Sequence, residues 1–172
     1  MFLYLFHDTV PEDPQLDNAH TLKGETETLR LFEALTPLET SVDSRSAYQV
    51  IDSSGNLTGG YAVMNNIPVS EDKREAFEER FLGRARRVEE MPGFGGIRVL
   101  RPLQGDTYIV LTMWKDEASF TSWQDSEAYN HAHRQRHSEE GLGSKRPEIF
   151  ARTPFITTYT VETPDGGHTG RS

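Results

Sequence analysis

No cysteine occurs anywhere in the chain, which excludes disulfides, thiolate metal ligands and thiol nucleophiles and suits a reducing compartment. The cytoplasm is therefore the expected location. Long hydrophobic runs are missing too: the apolar opening "MFLYLF" stops at His7 and Asp8. That is far short of the roughly 20 residues of a membrane span, and no basic segment precedes it. It reads as a first strand. Positive charge is in deficit, with 18 Lys and Arg against 27 Asp and Glu and a formal net charge of -9. Neither a nucleic-acid backbone nor an anionic membrane is the expected partner of such a molecule. With 172 residues, one substantial core can be buried, or two small sheet-and-helix halves packed as a single body.

What is present sharpens along the chain. In the first sixty residues "HDTVPEDPQLDN" reads as a loop by its prolines and acids, and "TETLRLFEAL" and "SAYQVIDSSG" read as short strands. After Gly60, "YAVMNNIPV" predicts a strand. Phe77, Phe81, Arg84 or Ala85, and Val88 then recur at helical spacing through "SEDKREAFEERFLGRARRVEEM". Ser70, Glu71 and Asp72 suit the start of that helix, and Pro92 and Gly93 its end. "GIRVLRPL" and "TYIVLTMW", joined by "QGD", predict a hairpin. Asp116 can cap a short helix carrying Phe120 and Trp123, and Asp125 or Ser126 a second one through His133. The last strand is expected in "IFARTPFITTYTVE", followed by a frayed tail over 163–172.

Residues 60–162 thus read β-α-β-β-α-β, the split ferredoxin-like order of an α+β fold. One face of such a sheet carries the helices. The other must be covered, and the strand-rich segment 1–59 is expected to do this as the second half of a pseudo-dimer within one chain. A monomer is accordingly expected rather than a homodimer. No internal repeat is legible in the sequence.

Several residues invite a chemical reading. Alternation along "YAVMNNIPV" puts Asn65 on the face of Val63, Ile67 and Val69, and Asn66 on the face of Met64 and Pro68. An amide on an apolar face either satisfies a neighbouring backbone group or serves as a donor in a dry pocket. Trp123, three residues after Phe120, is by spacing a core aromatic. His133 and His137 are separated by one helical turn, with His131 nearby, which is zinc-clip spacing. The basic setting "HRQRH" opposes a dication, whereas one neutral imidazole can hold heme iron without a cluster. Arg80, Arg84, Arg86 and Arg87 are either surface cations or anchors for an anionic ligand. "GFGG" has no following lysine and is no phosphate loop.

The order of "NNIPV", "FEERFLGRARRVEEMPGF", "VLRPL", "TYIVLTMW" and "SFTSWQDSEAYNHAHR" resembles the IsdG-type heme-degrading monooxygenases of the antibiotic biosynthesis monooxygenase (ABM) superfamily, closest to the longer branch called HmoB. The resemblance covers residues 60–160. It implies a catalytic set of Asn65, Trp123 and His133. His133 would be the iron ligand, in preference to His131, and Trp123 rather than Trp114 would be the aromatic. Asn65 would donate a hydrogen bond on the distal side, and Trp123 would push the macrocycle out of plane. Phe81 and Arg84 would belong to the heme-facing wall. Heme would be both substrate and oxygen-activating cofactor, used with O2 and an electron-donating reductase to open the ring and release iron. Two other functions fit the same pattern: a heme carrier or sensor without turnover, and a cofactor-free quinol monooxygenase of the same superfamily.

Overall fold

The structure, a computed structural model, describes residues 1–7, 20–36, 47–82, 87–125 and 152–162. Eight strands are arranged as a closed ring. In chain order they are β1 (Phe2–Phe6), β2 (His20–Lys23), β3 (Thr28–Ala34), β4 (Ala47–Gly55), β5 (Tyr61–Pro68), β6 (Phe94–Pro102), β7 (Thr107–Trp114) and β8 (Phe155–Glu162). Around the ring they run β1-β3-β2-β8-β5-β7-β6-β4, with β4 returning to β1. Two helices are described, α1 (Arg74–Leu82) and α2 (Glu117–Gln124).

Strand order within the second half is β8-β5-β7-β6, the ferredoxin-like arrangement expected of its β-α-β-β-α-β sequence. The first half repeats it as β4-β1-β3-β2. The repetition extends to register. Phe6 pairs with Arg30 as Asn65 pairs with Val110, and Phe2 with Gln49 as Tyr61 with Thr160. Leu22 pairs with Leu29 as Leu100 with Ile109. Even the seams match, Leu22 pairing with Val161 and Leu100 with Val50. One rotation therefore exchanges the halves. The first half joins the second edge to edge along both seams, leaving neither sheet with a free edge, and the inner faces of the two halves pack into one core.

Alternation along the strands divides the side chains between lumen and exterior. The lumen is filled by a core including Leu3, Leu5, Leu22, Leu31, Met64, Leu100, Leu111 and Tyr159, all nearly solvent-free. Burial of each large aliphatic chain contributes about 1.5–3 kcal/mol. Arg98 also lies in this interior, its charge met by Glu33 of the first half at 2.6 Å and by the carbonyls of Gly55 and Ile97. Outside, the second half carries its own core of Val63, Ile67, Val69, Phe77, Val88, Ile97, Tyr108, Val110, Trp114 and Phe120.

Local structure departs from sequence expectation in four places. The helix expected from Ser70 to Met91 opens as a 3-10 turn over Glu71–Lys73, and its last turn, Arg87–Glu90, is 3-10 as well. Ser70 occupies the N-cap position, yet its side chain makes no capping bond, so nothing draws the first turn into α form. Of the last strand expected over 149–162, residues 152–154 are not strand and β8 begins at Phe155, Pro154 having no N–H for the ladder, while 149–151 lie outside the described residues. β2, "HTLK", was not expected from the sequence, since one aliphatic in four residues gives no alternation. By contrast Asp116 caps α2 as expected, accepting from the Ser119 N–H at 2.9 Å. Gly93, at φ 84°, lies so close to Ser119 that a Cβ there would come within 2.2 Å of its Oγ. The "MPGF" turn thereby fixes where α2 begins, with the Lys115 N–H bonded to the Gly93 carbonyl.

Candidate functional site

Asn65 and Asn66 are adjacent residues with opposite fates. The Asn66 side chain is buried and points into the lumen, where its Nδ2 donates to the Met64 carbonyl, the Phe155 carbonyl and Thr157 Oγ1 at 3.2–3.3 Å. From Thr157 a polar chain continues through Tyr159, whose hydroxyl reaches Glu27, and Glu27 faces His7. Burial, first, and the hydrogen bond to Glu27 push Tyr159 up to about 12. Asn65 lies on the opposite, helix-bearing face with Val63 and Ile67. It is half-buried, and its carboxamide has no hydrogen-bond partner among the described residues. Its cross-strand neighbours are Val110 on β7 and Ile156 on β8, both aliphatic.

On this face the two described helices pack on the sheet, α2 toward the Tyr61 end of β5 and α1 toward the Ile67 end. At one end the rings of α2 pack on the sheet: Phe120 lies 5.9 Å from Trp114 and 6.1 Å from Tyr61, measured between centroids. Trp123 is partly buried and lies 6.0 Å from Trp114, which is itself fully buried and edged by Phe94. Trp114 is thus the backing against which Trp123 rests. At the other end α1 places Phe77 4.8 Å from Tyr108, the neighbour of Ile67. Asn65 falls between these contacts, on the strand that runs from Tyr61 to Ile67.

α1 is held by an ion-paired cluster that the sequence did not single out. Arg101 grips Glu78 with two prongs at 2.6 and 2.8 Å, and the Tyr108 hydroxyl donates to the same carboxylate. The Arg101 contact holds the Glu78 carboxyl below its usual range, and Glu78 in turn raises Arg101. Burial and this carboxylate push Tyr108 up to about 12. Arg74 caps the Tyr108 ring at 5.4 Å. Glu78, Arg101 and Tyr108 are scattered over three elements, and no sequence spacing announces them.

Of the residues singled out in the sequence, Asn65 and Trp123 thus share the helix-bearing face. Phe81 lies in α1, but its side chain is outside what the structure describes, and His131, His133, His137 and Arg84 lie outside the described residues. Among the described residues no group of three His, Asp or Glu could hold a metal ion, and no helix is long and apolar enough to cross a membrane. A shallow depression lined by Val69, Glu71, Arg74, Gly105 and Asp106 lies beyond the Ile67 end of β5 and does not include Asn65.

Comparison with known proteins bears on this half above all. Residues 60–135 match the antibiotic biosynthesis monooxygenase family. A heme oxygenase (mycobilin-producing) of Mycobacterium tuberculosis is 38% identical over 66 residues, 38% of this chain and 63% of that protein. The signal transduction protein TRAP of Staphylococcus epidermidis is 31% identical over 88 residues, 49% of this chain and 52% of its own. The matches therefore span little more than half the length of these relatives. The solved structure of a major regulator of staphylococcal pathogenesis covers 92% of this chain and 98% of its own, with a TM-score of 0.69 at 20% identity, so the fold as a whole is shared. Residues 60–135, the stretch similar to the antibiotic biosynthesis monooxygenase family, supply the β5 strand, both described helices and Trp123.

Proposed function

We propose that the chain is a heme-degrading monooxygenase whose substrate lies in the groove over Asn65. The observation that carries this reading is the Asn65 carboxamide, without a hydrogen-bond partner among the described residues and with aliphatic cross-strand neighbours, while the Asn66 amide beside it donates to three acceptors. Unspent donors in apolar surroundings are what a flat, mostly apolar ligand with one polar centre requires. The kinship with a mycobacterial heme oxygenase supports heme as that ligand.

When bound, heme supplies the oxygen-activating iron and is also the substrate whose ring is opened. The chain contributes the rest. His133 would hold the iron through a neutral imidazole nitrogen. Asn65 would offer its N–H as a fixed donor to negative charge developing at the bound group. Trp123, backed by the fully buried Trp114, would bear on the face of the bound macrocycle. A rigid edge of this kind can impose about 1–5 kcal/mol of distortion. Phe81 and Arg84 would contribute to the heme-facing wall. Electrons come from an external reductase, O2 is the second substrate, and the single-chain ring acts as a monomer in the cytoplasm.

A heme carrier or sensor without turnover is the second reading, favoured by the kinship with a signal transduction protein. Purified protein mixed with heme and ascorbate in air, with catalase present, separates the two. Loss of the Soret band supports degradation; a persistent band supports the carrier. Failure to bind heme at all overturns both and favours a cofactor-free quinol monooxygenase. In the enzyme, Asn65→Ala should keep heme affinity within a few-fold and slow degradation on the order of 100-fold. His133→Ala should remove the iron-imidazole spectrum.

A further inference from the structure

One side chain of the first half is wired into the cluster that holds α1. Gln49 on β4 accepts a hydrogen bond from Arg101 Nη1 at 2.8 Å. The other two prongs of the same guanidinium hold Glu78 on α1, and Glu78 also receives the Tyr108 hydroxyl. Tyr108 is fully buried beneath Phe77. Three elements therefore meet at a single carboxylate, and a fourth, from the opposite half, joins them through Arg101. A planar guanidinium bonded on both sides cannot tilt toward one partner without losing the other.

We propose that Glu78, Arg101 and Gln49 are positioning residues that set the distance of α1 from the sheet, and hence the width of the slot over Asn65. The proposal deepens the heme reading and rests on it for the identity of the ligand. It also gives the first half a role in the site: β4 is the fixed post to which the α1 wall is tied. None of the three touches the substrate.

The test uses the full chain carrying Glu78→Gln, Arg101→Lys or Gln49→Leu. Amide hydrogen exchange in α1 is followed without heme, heme affinity by Soret titration, and the out-of-plane porphyrin modes by resonance Raman at saturating heme. Glu78→Gln should weaken heme binding on the order of tenfold, and Gln49→Leu about threefold, as members of one coupled network. Exchange in α1 should quicken in the same order, and the out-of-plane modes should shift. A merely destabilised protein with a correctly spaced slot would leave those modes unchanged at temperatures well below unfolding. Unchanged affinity and modes in Glu78→Gln overturn the proposal. If that variant does not fold, Gln49→Leu carries the test, and unchanged α1 exchange there overturns it. If the parent protein binds no heme, the ligand assignment fails, while α1 exchange still decides whether the tie exists.

Discussion

The two halves of the ring share strand order and register but not contents. In the lumen their equivalent positions are alike: Leu3 and Ala62, Leu5 and Met64, Leu31 and Leu111, Tyr48 and Tyr159 all pack into the shared interior. On the outer face they part. Phe6, buried beside Tyr4 and Phe32, stands at the register position of Asn65. His7, just past the end of β1, stands where the second half has Asn66. One half has thus spent its outer floor on aromatic packing, and the other has kept a polar group there. The interior constrains both copies because both must fill the same lumen. The exterior is free to diverge, and a site needs only one of them.

Exchanging the distinguishing residues tests this contrast. Phe6→Asn should have the largest effect, costing about 3–5 kcal/mol through a cavity and a buried amide without partners, read as a lowered urea midpoint. It should create no second heme site, since none of the other groove groups is repeated among the described residues. The reverse change, Asn65→Phe, should leave the fold standing and weaken heme binding at least about 100-fold by filling the floor, as measured by Soret titration. An unaltered affinity would place the ligand elsewhere. In the lumen, Asn66→Leu should cost about 1–3 kcal/mol by stripping donors from the Met64 and Phe155 carbonyls. His7→Ala, at the exposed counterpart position, should change stability by less than about 0.5 kcal/mol.

A gentler probe uses pH. Tyr108 and Tyr159 are each pushed up to about 12 in the folded protein, against roughly 10 in an unfolded chain. Because the folded state holds these protons longer, their stabilising contribution is complete below pH 10 and is lost as pH rises toward 12. Of the six tyrosines, these two should therefore be late to ionise in an absorbance titration, together with Tyr48, which burial also raises. Ionisation at ordinary pH would show that the Glu78 and Glu27 contacts do not persist in solution.

How far the sequence carried depends on the range of the contacts. β5, β6, β7 and the capped start of α2 follow from alternation, a turn and one aspartate, all local signals, and parity alone assigns Asn65 to the helix face. The ring does not follow from such signals, because β2 has no pattern of its own and finds its place only between β3 and β8. The relation between the halves is equally hidden, since conserved pairing geometry leaves Phe6 facing the role of Asn65 with no shared letter. The Glu78 cluster assembles residues 49, 78, 101 and 108, and only the folded sheet brings them together.

The seam between β2 and β8 also dictates the order in which the molecule can be completed. Until residues 155–162 leave the ribosome, β2 and β5 each present a row of unsatisfied backbone donors and acceptors, although most of the barrel is already synthesised. Its final stave is thus the one on which closure waits. A chain stalled before that point would have two adhesive borders, and a neighbour's strand could occupy the gap.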